Sequence, residues 1–98
     1  MARFINKSDI LSWNEANLRH MPDVAGVYCL RDVSRSVIYI GSVGANRLKA
    51  RLMEHYNSCD VPGVQYFDCY QCISGTEARA LEKEWIQRYQ PLYNQVGK

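Results

Sequence analysis

The stretch Gly26–Gly41, "GVYCLRDVSRSVIYIG", decides how the rest of the chain is organised. β-Branched and aromatic residues fill Val27–Leu30 and again Val37–Ile40, which is strand composition. The polar segment Asp32–Ser36 between them has the length of a hairpin loop. The stretch therefore predicts two strands paired as a hairpin. Each strand carries a tyrosine, Tyr28 and Tyr39, and a strand tyrosine taken alone is a packing residue.

Working outward, "SDILSWNEANLRHMPD" upstream reads as a short amphipathic helix, capped at Ser8 or Ser12 and stopped near Pro22. Downstream, "SVGANRLKARLMEHYNS" opens as a loop and becomes a helix over Asn46–Tyr56 with Asn46 as its cap. "CDVPGV" is a loop with a Pro-Gly turn, and "QYFDCYQCI" is a third strand. "SGTE" is a capping box, Ser74 with Glu77, opening a last helix that runs to about Tyr89, where Pro91 stops it. The order helix, strand, strand, helix, strand, helix predicts an α/β fold: a small three-stranded, antiparallel-type sheet flanked by helices. With 98 residues the chain is expected to form a single domain, 1–98.

Composition sets loose bounds. A hydrophobic share of 47% with 22% charged residues is that of an ordinary soluble globular protein. The net charge of +2 permits a nucleic-acid partner without arguing for one. No stretch approaches the ~20 apolar residues of a membrane span, and "MARFINKSDI" lacks the apolar core of a secretory signal. A cytoplasmic setting with reduced thiols is therefore expected for Cys29, Cys59, Cys69 and Cys72. Cys69 and Cys72 form a C-x-x-C, with His55 and Cys59 upstream as further potential zinc ligands. The pair falls within a strand, however, where residues three apart point to opposite faces. Small buried thiols are the plainer reading.

Three polar residues fall where apolar ones belong. At 100° per residue from Ala78, Leu81 lies near ~300°, Trp85 near ~340°, Tyr89 near ~20° and Ile86 near ~80°. Glu82 falls near ~40°, inside that stripe. A carboxylate there must be paired, bound to a cation, or set at the lip of a cleft. In the preceding helix Leu48 and Leu52 define the apolar face, and Arg51 and His55 lie on or beside it. Two readings stay open: a structural Arg51–Glu82 ion pair, or a polar site combining an anion binder, a metal ligand and a titratable imidazole.

"GVY" at Gly26–Tyr28 and "YIG" at Tyr39–Gly41 together resemble the signature of the GIY-YIG nuclease superfamily. The following elements keep that family's order: an arginine helix in "RLKARLMEHY", a third strand, a glutamate helix in "ALEKEW" and a late asparagine in "PLYN". The resemblance covers about residues 22–95. It implies a divalent-metal-dependent endonuclease that hydrolyses phosphodiester bonds in DNA. Glu82 would hold one cation, Mg²⁺ or Mn²⁺, and Arg51 would contact the scissile phosphate. Tyr28 and Tyr39 would lie beside the attacking water and the phosphate, with Tyr28 the family's usual candidate for general base. His55 would relay a proton or hold Tyr28, and Asn94 would brace the site by hydrogen bonds. Ser42 stands where several members have a lysine, and "SVGANRLKAR" is longer than the compact loop of the repair-type branch.

From another class, the alternative is a catalytically silent nucleic-acid-binding module that keeps the fold. Arg47, Lys49, Arg79, Lys83 and Arg88 are candidate backbone contacts, with solvated helix surface as the plain alternative for each. Tyr66 and Tyr70 are candidates for stacking on bases or for strand packing. A standalone domain, monomer or homodimer, with a small open cleft leans toward single-stranded or branched DNA.

Overall fold

The computed structural model describes residues 3–95. In chain order its elements are β1 (Asn6–Lys7), β2 (Leu11–Ser12), α1 (Glu15–Arg19), β3 (Gly26–Arg31), β4 (Val37–Val43), α2 (Leu48–Ser58), β5 (Tyr66–Gln71), α3 (Gly75–Tyr89) and α4 (Leu92–Gln95). The expected hairpin forms. β3 pairs antiparallel with β4, Tyr28 opposite Gly41 and Leu30 opposite Tyr39. Asp32 fixes the loop, its Oδ1 accepting from the backbone N–H of Ser34 at 2.9 Å and Ser36 at 3.0 Å.

The sheet is larger than the expected three strands. Its order is β1-β5-β3-β4, with β2 also on β5. The segment read as a helix from Ser8 onward holds a two-residue strand, β2, and is helical only over Glu15–Arg19. Leu11 and Ser12 pair with Phe67 and Tyr66, and the Trp13 N–H donates to the Gln65 carbonyl at 2.9 Å. Leu11 and Trp13 pack on the same core at a spacing of two, the strand period, and this alternation was buried in a helical-looking run. The helix that remains, α1, is capped by Asn14, which accepts from the Asn17 N–H at 2.8 Å, and not by either serine. The start of α2 also differs. Asn46 sits at φ 63°, the left-handed region that asparagine tolerates, so it ends a turn and Arg47 takes the cap position with no side-chain bond. For α3 the serine cap is as expected, with Ser74 accepting from the Glu77 N–H.

Two apolar clusters cover the sheet, one on each face. Leu18 of α1 and Leu48 and Leu52 of α2 meet Tyr28, Leu30, Phe67 and Cys69. On the other face Ala78 and Leu81 of α3 meet Val27, Cys29, Ile40 and Cys72. Cys69 and Cys72 thus point to opposite faces, as their strand spacing requires. Tyr89, expected in the α3 stripe, is 52% exposed. At Gly26 a Cβ would stand 2.4 Å from the Tyr70 carbonyl oxygen, so only glycine lets β3 lie this close to β5. No described helix is long and apolar enough to cross a membrane.

Candidate active site

The site lies at the outer strand of the sheet, where among the described residues β4 has no strand partner beyond it. Tyr28 projects from β3 toward α2, and its ring passes over Gly41 on the neighbouring strand. A Cβ on Gly41 would meet the Tyr28 hydroxyl at 2.2 Å and Cζ at 2.3 Å. The missing side chain is therefore what lets the phenol lie flat across β4. Tyr39 projects from β4 on the same side, its ring centre 6.3 Å from that of Tyr28. His55, in the last turn of α2, packs against both rings at 5.4 Å and 5.3 Å.

His55 is only 3% exposed, and both ring nitrogens are engaged. Nε2 lies 2.7 Å from the Tyr28 hydroxyl, and Nδ1 lies 2.7 Å from Asp60 Oδ1. Asp60 reaches back because Cys59, at φ 53° and ψ 37°, ends the helix in a left-handed turn with its N–H on the His55 carbonyl at 3.0 Å. Burial pushes the Asp60 carboxyl up, but the His55 hydrogen bond and the charges of His55 and Arg51 outweigh it and leave it below its ordinary value. Burial, together with Tyr39, lifts the Tyr28 phenol well above its ordinary value, against the pull of Arg51.

Arg51 stands one turn before His55, partly exposed, and acts electrostatically on both tyrosines. Its ion pair is with Glu54 at 2.9 Å, not with Glu82. The structural Arg51–Glu82 pair is therefore corrected: the i, i+3 carboxylate on the same helix is nearer than one on α3. Glu82 is half-buried, and Ser42 donates to its Oε1 at 2.6 Å. That is its only hydrogen bond among the described residues. Glu82 adds a small upward push to the Tyr28 phenol, although α3 covers the face of the sheet opposite to α2. A hard cation that keeps most of its water needs oxygen donors and few of them, and a carboxylate with one oxygen uncommitted fits that requirement. The zinc alternative has no such fit: among the described residues no group of three or more His, Cys, Asp or Glu side chains is arranged to hold a metal.

Asn94, in α4, bonds the outer edge of β4 beside the site. Its Oδ1 accepts from the Ile40 N–H at 2.7 Å and its Nδ2 donates to the Ile40 carbonyl at 2.9 Å. One side chain thus satisfies the two backbone groups that a further strand would otherwise pair. Of the candidate backbone-binding residues, Arg47 lies 3.5 Å from the same Glu54 that holds Arg51, and Lys49 is half-buried. Arg79 and Lys83 are exposed one turn apart on α3, and Arg88 is exposed near its end. Tyr70 is a packing residue, set against Phe4 and Trp85 with its hydroxyl on Asp68, and Tyr66 lies under Arg35.

A family model described as a UvrC-like GIY-YIG domain matches residues 24–95. The match runs through Ser42 and the long loop, so neither departure separates the chain from that group. The UvrABC system protein C of Lactobacillus delbrueckii subsp. bulgaricus is 33% identical over 87 residues, covering 82% of this chain and 14% of the relative. The protein of the same name from Haemophilus ducreyi is 33% identical over 88 residues, with the same coverage of each chain. The chain therefore spans about one seventh of the length of these curated relatives. Among solved structures, the GIY-YIG N-terminal endonuclease domain of UvrC from Thermotoga maritima, bound to its catalytic magnesium, is 26% identical with a TM-score of 0.68. That superposition covers 83% of this chain and 99% of the other. A variant of the same domain with an asparagine replaced by alanine, bound to its catalytic divalent cation, is 25% identical with a TM-score of 0.65 and covers 82% of this chain and 97% of the other.

Proposed function

The chain belongs to the family of UvrC-like GIY-YIG domains, and on that premise we propose that it is a divalent-metal-dependent endonuclease hydrolysing phosphodiester bonds in DNA in the cytoplasm, with residues 1–98 acting as one domain. The observation that carries this reading is the convergence of Tyr28, Tyr39 and His55 beside Arg51 at the edge strand β4, whose Ser42 holds Glu82 of α3.

Each group has a part set by its chemistry. Arg51 offers a planar, permanently charged fork to the non-bridging oxygens of the scissile phosphate, where negative charge grows as the bond breaks. Tyr28 orients the attacking water and takes its proton, passing its own phenolic proton to His55. Tyr39 hydrogen-bonds the phosphate or that water. Asn94 holds the β4 backbone, and with it Tyr39 and Gly41, in place. Glu82 would hold Mg²⁺ or Mn²⁺, which when bound offsets charge on the phosphate oxygens. Arg47, Lys49, Arg79 and Lys83 lead the nucleic-acid backbone toward the site. Single-stranded or branched DNA is the preferred substrate, since a strand that is not held in a duplex can enter a small cleft at a sheet edge.

The test is a cleavage assay on labelled single-stranded, duplex and branched DNA and on RNA, with Mg²⁺, Mn²⁺ or chelator. The wild type should cut only with metal. Glu82→Ala should lose roughly a thousandfold or more in rate while still binding DNA. Folded wild type that cuts none of these substrates would favour a silent binding module instead.

A further inference from the structure

The loop residue Asp60 has no part in the reading of the sequence or in the family resemblance, yet it makes the only hydrogen bond to His55 Nδ1 among the described residues. We propose that Asp60 is a positioning residue for the cleavage reaction: its carboxylate holds the proton on His55 Nδ1 and so leaves Nε2 bare to take the proton of Tyr28. The proposal rests on the nuclease reading above.

An ionised carboxylate only accepts, so the 2.7 Å contact requires the proton on Nδ1. In the neutral ring Nε2 then carries a lone pair, and the 2.7 Å contact to Tyr28 requires the phenol to donate. The Tyr28 oxygen lone pairs are thereby left for the attacking water. As the water oxygen bonds to phosphorus and the ester oxygen leaves, one water proton passes to Tyr28 Oη and the phenolic proton passes to His55 Nε2. The imidazolium formed is balanced by Asp60 and later releases its proton to solvent, while the departing oxygen takes one from solvent. No net charge is left on the tyrosine at any stage.

The geometry is suited to this. The His55 side chain is 2% exposed, so its ring cannot turn freely. The Asp60 side chain is 45% exposed and lies beside the cleft between Trp13, Tyr56 and Val61, which gives the proton a way out. A helix ending without the left-handed turn at Cys59 would carry residue 60 away from the ring. The charged and titratable groups around His55 are Tyr28 from β3, Tyr39 from β4, Arg51 from α2 and Asp60 itself. Asp60 is the one anion among them, it touches the ring, and it alone of the four favours the imidazolium.

Two measurements test the proposal. The first is histidine ¹⁵N NMR of the folded protein without substrate, which is tractable because the chain has two histidines and His20 can be replaced. His55 is expected as the neutral Nδ1–H tautomer, and an Nε2–H tautomer would overturn the proposal. The second is steady-state cleavage by Asp60→Asn and Asp60→Glu. The Asn variant should lose about 100-fold in kcat with KM and Tm close to wild type. Its rising pH limb should move to lower pH, because the anion that favours the imidazolium is gone. Asp60→Glu should recover part of the rate. Full activity and an unmoved pH limb in Asp60→Asn, or a Tm loss that accounts for the rate loss, would overturn it. Wild type that does not cut at all would sink the nuclease reading, while the tautomer would still report whether Asp60 sets the ring.

Discussion

Each face of the sheet carries a buried polar network, and the two are built on different plans. On the α3 face Arg31 Nε donates to Asp68 Oδ1 at 2.8 Å and Nη2 to Oδ2 at 3.2 Å. Tyr70 adds its hydroxyl to the same carboxylate, and Arg31 Nη1 donates to the Arg35 carbonyl at 2.9 Å. Every partner is protein, and Asp68 is 2% exposed. On the α2 face the chain Asp60–His55–Tyr28 runs from a part-exposed carboxylate to a buried phenol beside Arg51 and Tyr39, the end to which the proposed function assigns the attacking water. A network closed on itself holds the fold, whereas one that stops at a reactive oxygen is arranged to act on something else.

The sharpest way to break this distinction is to cut each network once. Arg31→Met leaves Asp68 buried with its charge unpaired, which costs about 3–5 kcal/mol. The Tm should fall by roughly 10 °C or more, on the scaling for a domain of this size. The fraction that stays folded should cleave at the wild-type rate. If Arg31→Met lost cleavage in parallel with no change in Tm, the α3 network would have a part in the reaction and the comparison would fail.

Gly41→Ala cuts the other network without replacing a polar side chain. The new methyl would overlap the Tyr28 hydroxyl, and the phenol would have to move off His55. A displacement of about 1 Å in a catalytic group can cost roughly 100-fold in rate. The same crowding should cost only about 1–3 kcal/mol in stability, because a side-chain end yields more easily than backbone. Thermal melts beside cleavage rates would separate the two effects. Equal rates in Gly41→Ala and wild type would mean that the position of Tyr28 is not what the reaction depends on.

The two networks also differ in how legible they were. Arg51, His55 and Glu82 are legible because each falls on or beside an apolar helix face, whereas Tyr28 and Tyr39 read as strand packing until the resemblance of "GVY" and "YIG" to the family signature gives them a role. Arg31–Asp68 was silent, since strand residues 37 apart in sequence meet only once β3 and β5 are paired. Asp60 was silent for a different reason. Its role depends on a left-handed backbone at Cys59, and nothing about a cysteine announces that conformation. The serine caps expected for the first helix do not form, because Leu11 and Trp13, two residues apart, share a face only in extended chain, and pairing with β5 holds them there. Glu82 was recognised as misplaced, but its partner Ser42 lies across the sheet edge and could not be inferred from helix geometry.

Asn94→Ala sharpens the comparison at a point that belongs to neither network. It removes two hydrogen bonds from the Ile40 backbone, worth about 1–2 kcal/mol together because water can reach the vacated edge. Tyr39 and Gly41 flank Ile40, so cleavage should also fall, by roughly tenfold, if edge bracing feeds the site. Chemical denaturation with unchanged m-value and a reduced rate is the expected pair of results. A reduced rate with no loss of stability would mean that Asn94 meets the substrate directly.

The smallest effect, and the most discriminating, is in pH. Beside the closed network, burial first and then the Asp68 charge push the Cys29 thiol up to about 12, with Arg31 opposing. Its folded value lies above its unfolded one, so the stability it contributes is complete below the ordinary thiol value of 9.0 and is lost as pH rises through about 12. Asp60 has the opposite sign. Its folded value lies below 3.8, so its contribution is present above that pH and is lost as pH falls through the lowered value. The Asp60 effect is the weaker, since a carboxylate this exposed is screened. Melting temperatures across pH for wild type, Cys29→Ala and Asp60→Ala should therefore diverge at opposite ends of the scale. The alkaline fall should be blunted in Cys29→Ala, and the gap between Asp60→Ala and wild type should close in acid. A single variant that altered both limbs would mean that the two faces of the sheet are electrostatically one network, and that closure on one side does not insulate it from the other.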